Sequence, residues 1–349
     1  MKPKISVVIP CFNYEKYIAI AIDSVLAQNY SNYELIVVDD LSTDNSRAII
    51  EQYSDRLNII FHDVNKGHGA AFNSGFSACN GDIVTLLDAD DFLLPNALNI
   101  IASNYNDTFS MYHYFSNLVD DKGVYIDIFP KKSKGLDSGD LKNSLLTNGY
   151  INTTVTSGLS FSRAFLFSVL PIDESLFRQG GDGFLVSIAP LYGQVCTIND
   201  QLSAYRQHNT NHSSFSNQLI KRALWVVQHT NYCLDAIIYH ASKMSLSTKM
   251  SLGKNNFSLL EQLMILHVSK LSIDDRFFSK KYQIFFNGII SLNKSSLPFF
   301  KKLSLNIWWF FVYISPDNFS VKLLSWKLMS STRPLFLTKA INFFKVVKQ

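Results

Sequence analysis

The sequence predicts an α/β fold on a mainly parallel sheet, and three observations carry that prediction. Through residues 1–90, short β-branched runs alternate with amphipathic stretches, the runs are apolar without interruption, and the polar clusters gather where runs end. Uninterrupted apolar strands belong to a sheet covered on both faces. Right-handed crossovers then align the strand C-termini along one edge, where open α/β sheets bind ligands.

The strands expected are Ile5–Ile9, Glu34–Asp39, Leu57–Phe61 and Ile83–Leu87, with helices over 15–28, 44–53 and 68–79 between them. Pro10, Asp39, Asp40, Asp88 and Asp90 fall at strand ends. Residues 109–214 are less regular: a hairpin around Asp120–Gly123, a helix near 138–147, a strand near Val155–Phe161 and an amphipathic helix after Asp182. They read as the second half of the same domain. From about residue 215 the pattern is helical with Lys-rich polar faces, in segments near 216–241, 246–270, 275–292 and 297–314. The expected organisation is therefore a domain over 1–214 and a basic, mainly helical region over 215–349.

Composition bounds the function. With 47% hydrophobic and 17% charged residues among 349, the chain has ample apolar surface for a core and is neither disordered nor a disulfide miniprotein. The net charge of +4 conceals an asymmetry: residues 1–214 hold 14 Lys/Arg against 23 Asp/Glu, and residues 215–349 hold 18 against 5. The two halves face different partners. Cys11, Cys79, Cys196 and Cys233 are far apart, with no CxxC pair, and read as reduced thiols in the cytoplasm. The apolar run at Ile5–Ile9 is too short for a signal peptide. No stretch reaches the roughly 18 apolar residues of a spanning helix, although Ile307–Ile314 is a dense aromatic and apolar cluster.

The strongest chemical signal is Leu86-Leu87-Asp88-Ala89-Asp90-Asp91, an apolar strand that runs straight into three carboxylates. Crowded carboxylates repel each other unless a cation sits among them, and oxygen ligands at this density suit Mg²⁺ or Mn²⁺. A solvated turn with one aspartate capping the next helix is the alternative. Asp39-Asp40 ends a second strand of the same layer, where a carboxylate can accept hydrogen bonds from a nucleobase N–H or a ribose hydroxyl. Gly67 and Gly69 are too sparse for a phosphate loop.

Several ordered motifs resemble family 2 glycosyltransferases of the GT-A fold. They are Ile5-Ser6-Val7-Val8-Ile9-Pro10-Cys11-Phe12-Asn13, Ser24-Val25-Leu26-Ala27-Gln28 and Leu35-Ile36-Val37-Val38-Asp39-Asp40-Leu41-Ser42-Thr43-Asp44. Asn65-Lys66-Gly67 through Asn73-Ser74-Gly75, Asp88-Ala89-Asp90-Asp91, Pro171-Ile172-Asp173-Glu174 with Gly181-Asp182, and Tyr205-Arg206-Gln207-His208 follow in order. The similarity covers about 1–214; the helical remainder carries no family signature.

The resemblance implies a metal-dependent, inverting transfer of a sugar from a nucleotide-sugar, UDP-linked, to a glycan or lipid-linked acceptor in surface polysaccharide assembly. It implies that the loop of Pro10, Phe12 and Asn13 together with Asp40, Asp39 standing beside it, holds the base, and that Asp88 contacts the ribose or sugar. Asp90 is then the main ligand of Mn²⁺ or Mg²⁺, Asp91 supports it, His208 closes the metal site, and Asp182 is the general base. A helix cap is the rival role for Asp182, and a surface histidine the rival role for His208.

Three departures stand out. Gly181 precedes Asp182 where the family usually has an acidic residue, Phe72 stands where it often has Arg, with Lys66 a partial substitute, and Leu41 stands where Gly is common. They leave open a degenerate relative acting as a binding partner. A nucleotidyltransferase is the other rival, though Phe12-Asn13-Tyr14-Glu15 is no triphosphate loop. The basic helical region calls for an anionic partner, a membrane surface or a polyanionic acceptor and not nucleic acid. Its aromatic cluster beside Lys301 and Lys302 points to peripheral contact with an anionic membrane through 297–349, with a buried core helix as the rival reading.

Overall fold

The computed structural model describes residues 2–208, 218–248, 256–273, 277, 280–295, 297–329 and 332–334. From the N-terminus, β1 (Ile5–Cys11), α1 (Ile18–Leu26), β2 (Tyr33–Asp39), α2 (Ser46–Glu51), β3 (Asn58–Phe61), α3 (His68–Ala78) and β4 (Ile83–Leu86) form the expected β-α-β run. After it come β5 (Phe92–Leu93), α4 (Ala97–Ser103), β6 (Phe109–Val119), β7 (Tyr125–Phe129) and α5 (Lys142–Asn148). Then follow β8 (Leu159–Ser162), α6 (Arg163–Val169), α7 (Gly181–Tyr192) and β9 (Gln194–Arg206).

These strands make one mixed sheet in the order β3-β2-β1-β4-β8-β6-β9-β5, with β7 beside β6. The first four are parallel, and β8 joins antiparallel to both β4 and β6. Every residue of β1 and of β4 is buried, as uninterrupted apolar strands require. Each fully buried Val or Ile there contributes roughly 1.5–3 kcal/mol relative to exposure. The register sets Cys11 beside Asp39, and Val8 beside Leu86, so the polar ends of β1, β2 and β4 emerge on one edge.

The hairpin expected at Asp120–Gly123 is present: Asp120 Oδ1 accepts from the amides of Lys122 and Val124, and Gly123 takes φ +84°. The strand expected over Val155–Phe161 begins later. Thr156–Gly158 is a 3-10 turn, and only Leu159–Ser162 is strand, because the Ser157 side chain is drawn to the carboxylate loop. The long parallel pair β6 and β9 was not expected; buried Ser110, His113, Ser116 and Ser203 break its apolar pattern. All four cysteines are buried, and none forms a disulfide among the described residues.

Packing separates two compact units, Met1–His208 with Tyr232–Thr248, and Asn209–Asn231 with Lys249–Gln349. The position of the boundary expected near 215 lies outside the described residues, which omit 209–217. The helices are α8 (Leu219–Lys243), α9 (Phe257–Val268), α10 (Lys281–Lys294), α11 (Phe299–Ile314) and α12 (Asp317–Leu328). Residues 249–255 of the helix expected over 246–270 are also outside the described set, and α12, after Pro316, was not expected. In the second unit α11 is anchored on α10 by Trp309, wholly buried, whose Nε1 donates to the Phe285 carbonyl at 3.0 Å, and by Tyr313 stacked on Phe285 at 4.3 Å.

Gly288 is what lets α10 and α11 approach, since a methyl group there would overlap the Trp309 indole. Gly288→Ala is expected to destabilise the second unit by about 1–3 kcal/mol through overpacking. Urea denaturation followed by tryptophan fluorescence checks it, because all four tryptophans (Trp225, Trp308, Trp309, Trp326) lie in that unit. An unchanged midpoint would show that the indole has room to shift.

Candidate active site

Beyond β4 the Leu87 amide still bonds the Val8 carbonyl at 3.1 Å, after which the chain turns, closed by Asp91 N–H to the Asp88 carbonyl at 3.0 Å. The turn brings Asp88, Asp90 and Asp91 together, with one carboxylate oxygen from each within 4.8 Å of the others. Ser157 and Arg206 secure it. Ser157 Oγ donates to Asp91 Oδ2 at 2.6 Å and accepts from the Asp88 amide at 3.0 Å. The Arg206 amide donates to Asp91 Oδ1 at 2.8 Å, and its Nε to the Asp90 carbonyl at 2.7 Å.

Arg206 is itself buried, with its guanidinium 4.8 Å from the Tyr17 ring centre and its Nη1 donating to the Asp121 carbonyl at 3.0 Å. Two residues on, His208 Nε2 lies 2.9 Å from Asp90 Oδ2, with the imidazole against Tyr17 (5.0 Å) and Tyr14 (6.3 Å). His208 is thus no surface histidine.

The electrostatics record the crowding. Burial, then the charges of Asp90 and Asp88, push the Asp91 carboxyl well above its ordinary range. Burial raises Asp88 as well; His68 pulls it back, and Asp90 and Asp182 add to the rise. The Tyr14 hydroxyl is pushed up by burial and by all three carboxylates. A divalent cation suits this donor set: oxygen ligands with an imidazole beside them, and repulsion that a positive charge relieves. Ser157 and Arg206 hold the two Asp91 oxygens in place, and Asp88, Asp90 and Asp91, with His208 beside Asp90, are the side chains that could hold an ion.

The edge formed by β1 and β2 holds the other group. Asp39 is fully buried; its Oδ2 accepts from the Ser42 amide at 3.2 Å, and its Oδ1 has no partner among the described residues. A buried carboxylate oxygen left open is costly unless a ligand completes it. Asp40 has both oxygens engaged: Oδ1 takes the Lys66 amide (2.8 Å) and His62 Nδ1 (2.7 Å), and Oδ2 the Gly67 amide (2.7 Å). His62 Nε2 in turn reaches Ser74 Oγ at 2.8 Å, fastening the loop to α3.

Leu41 takes φ +63°, the left-handed conformation that makes Gly common there, and Asn13 takes φ +63° opposite it. The Asn13 amide donates to Ser42 Oγ (3.0 Å) and its Oδ1 accepts from the Thr43 amide (2.7 Å), tying the β1 and β2 loops together. Pro10 is buried within β1, Phe12 is 40% exposed beside that loop, and the Lys66 side chain is exposed.

Asp182 lies in the first turn of α7, and the cap position belongs to Gly180 at φ +71°. Thr156 Oγ1 donates to Asp182 Oδ2 at 3.2 Å. Gly181 has a packing reason, because a Cβ there would sit 3.0 Å from the Cα of Gly69 and 3.3 Å from Phe72. The start of α3 fills the space an acidic side chain would need. Phe72 is fully buried against His68 and Phe76, at 4.3 and 5.5 Å between ring centres.

His68 Nε2 stands 3.5 Å from Asp88 Oδ1. Burial lowers its pKa, but Asp88 outweighs that, with Asp182 and Asp90 adding, so the net shift is upward. His68, Tyr14, Tyr17, Thr156 and Ser157 were not singled out by sequence reasoning. Arg206 had a visible signal, its place beside His208 in Tyr-Arg-Gln-His.

Asp40→Asn tests the loop clamp. It puts an NH₂ group among the N–H donors facing Asp40, and is expected to destabilise the first unit by about 1–3 kcal/mol, the cost of an unmade buried hydrogen bond. A full-strength thermal transition in the variant would show that Asp40 does not hold the loop.

The family model described as glycosyl transferase family 2 matches residues 6–141, which include β1 to β4 and the carboxylate turn. An uncharacterised glycosyltransferase of Nostoc sp., alr2836, is 34% identical over 264 residues, 72% of this chain and 80% of that one. The Escherichia coli enzyme named UDP-Glc:alpha-D-GlcNAc-diphosphoundecaprenol beta-1,3-glucosyltransferase WfgD is 36% identical over 97 residues, 28% of this chain and 38% of its own. Among solved structures, S. aureus TarS 1-349 in complex with UDP-GlcNAc aligns with a TM-score of 0.50 at 16% identity, covering 93% of this chain and 91% of that chain. The fold is GT-A, and the similarity to alr2836 extends well past the matched motifs. The chain belongs to glycosyl transferase family 2 and is a glycosyltransferase.

Proposed function

We propose that the enzyme transfers a sugar from a UDP-linked donor, with inversion and dependent on Mn²⁺ or Mg²⁺, to a glycan or lipid-linked acceptor in cell-surface polysaccharide synthesis. The observation that carries this reading is the convergence of Asp88, Asp90 and Asp91 within 4.8 Å, with His208 at 2.9 Å from Asp90. WfgD, named for a UDP-Glc donor and a GlcNAc-diphosphoundecaprenol acceptor, and the TarS complex with UDP-GlcNAc support the choice of donor and acceptor class. No described helix is long and apolar enough to cross a membrane. We place the work in the cytoplasm, at the inner face of the cell membrane where such a lipid is presented.

The geometry supports the following roles. The open Oδ1 of Asp39 accepts the N–H of the base, with Pro10, Phe12 and Asn13 beside it, while Asp40 holds the 62–67 loop and the exposed Lys66 faces the phosphates. Asp88, steadied by His68, accepts from a ribose or sugar hydroxyl. Asp90 and His208 hold the divalent ion, which when bound offsets charge on the diphosphate oxygens, and Asp91 keeps the turn in shape.

Asp182, held by Thr156, takes the proton of the acceptor hydroxyl as its oxygen bonds to the anomeric carbon. The bond from that carbon to the diphosphate oxygen breaks and the electron pair leaves with the nucleoside diphosphate. A single displacement inverts the centre.

Release of UDP from UDP-Glc and UDP-GlcNAc with Mn²⁺ tests this reading. Nucleoside diphosphate is the expected product; pyrophosphate release would instead indicate a nucleotidyltransferase, and binding without turnover a degenerate binder. Asp90→Asn keeps the volume and removes the anionic ligand, and is expected to lower Mn²⁺-dependent transfer by at least about 100-fold. Near-native turnover would defeat the metal assignment. Asp182→Asn is expected to lower turnover roughly 10²–10⁴-fold while leaving donor affinity, read by calorimetry, within about twofold. A matching loss of donor binding would make Asp182 a structural residue.

A further inference from the structure

Helix α11 is apolar on two opposite faces. Wholly buried Trp309 and Val312 mark its packing face, toward α10. At about 100° per residue, Phe300, Leu303, Ile307, Phe310, Phe311 and Ile314 fall on the other side, within an arc of about 100°. Each of these six is 45–80% exposed. The neighbouring α10 repeats the pattern on a smaller scale, with Tyr282, Phe286 and Ile290 at i, i+4 and i+8, each 46–58% exposed. The dense cluster at 307–314 is therefore neither a plain core helix nor a span: α11 has 16 residues, with Lys301 and Lys302 in its first turn, and a span needs about 20 apolar ones.

A continuous aromatic face of this kind marks an interaction surface. Charge selects the partner. From Lys280 to Pro316 the chain has five lysines and no acidic residue, and over 215–349 it has 18 basic residues against 5 acidic. A second copy would bring like charges together, whereas an anionic bilayer satisfies both the aromatic face and the lysines.

We propose that the exposed face of α11 lies in the plane of an anionic bilayer surface, its phenylalanines at the boundary between headgroups and acyl chains, with the exposed Lys294 and Lys301 reaching lipid phosphates through their long side chains. The surface belongs to the helical region alone, so this inference is independent of the donor and metal assignments.

The test is co-sedimentation of the full chain with vesicles of phosphatidylcholine alone and of phosphatidylcholine mixed with phosphatidylglycerol. Binding to the mixed vesicles, weakened by salt, is expected. Phe300→Ser with Phe311→Ser is expected to weaken it at least about tenfold. Lys294→Glu with Lys301→Glu is expected to remove the preference for anionic lipid. All four side chains are exposed, so circular dichroism and donor hydrolysis should match the parent. Equal binding to both vesicle types, or binding indifferent to the serine substitutions, overturns the proposal. A dimer in solution that the serine substitutions dissociate overturns it too, and assigns the face to a second copy.

Discussion

Three carboxylates at the end of a buried strand repel one another, and the first unit is organised around holding them. Neither the loop nor its own strand can do it. The ties come from Ser157, in the turn before β8, and from the backbone and guanidinium of Arg206 at the end of β9. Sheet order makes this reach feasible: β8 lies beside β4, and β6 joins β8 to β9. The mixed half of the sheet is thus the frame of the acidic turn, and the burial that frames it also raises the Asp91 and Asp88 carboxyls.

A second division of labour separates adjacent aspartates. Asp40 is consumed by the loop it folds, and Asp39, one residue earlier, keeps an open oxygen. Leu41 completes the turn in a conformation usually left to glycine. The left-handed region costs a residue with a Cβ roughly 1–2 kcal/mol, a cost that the hydrogen bonds between Asn13, Ser42 and Thr43 help to offset.

The parallel half was legible because its signal is local. Uninterrupted β-branched runs and acidic strand ends can be read from a window of a few residues, and β1 to β4 were placed within a few residues of their positions. What could not be read depends on distance or on space. Ser157 sits in an ordinary polar stretch and gains meaning only by lying against Asp91. Likewise Gly181 resembled the loss of a functional acid, and only the approach of α7 to Gly69 reveals a packing requirement. The long β6–β9 pair escaped because its interior carries hydroxyls and an imidazole that bond one another, as His113 does with Thr153 and Thr197.

The tie between Asp91 and Arg206 spans 115 residues of chain. Domains fold as units, and here the residues of the parallel strands and their acidic turn are all synthesised before β9 emerges from the ribosome. Until it does, the turn has neither the Arg206 amide nor the His208 imidazole. A chain that ends before β9 therefore holds the residues of the acidic turn without the groups that offset their charge. The last strand to be made is the one that makes the acidic centre possible, so folding and competence to bind arrive in a single late event.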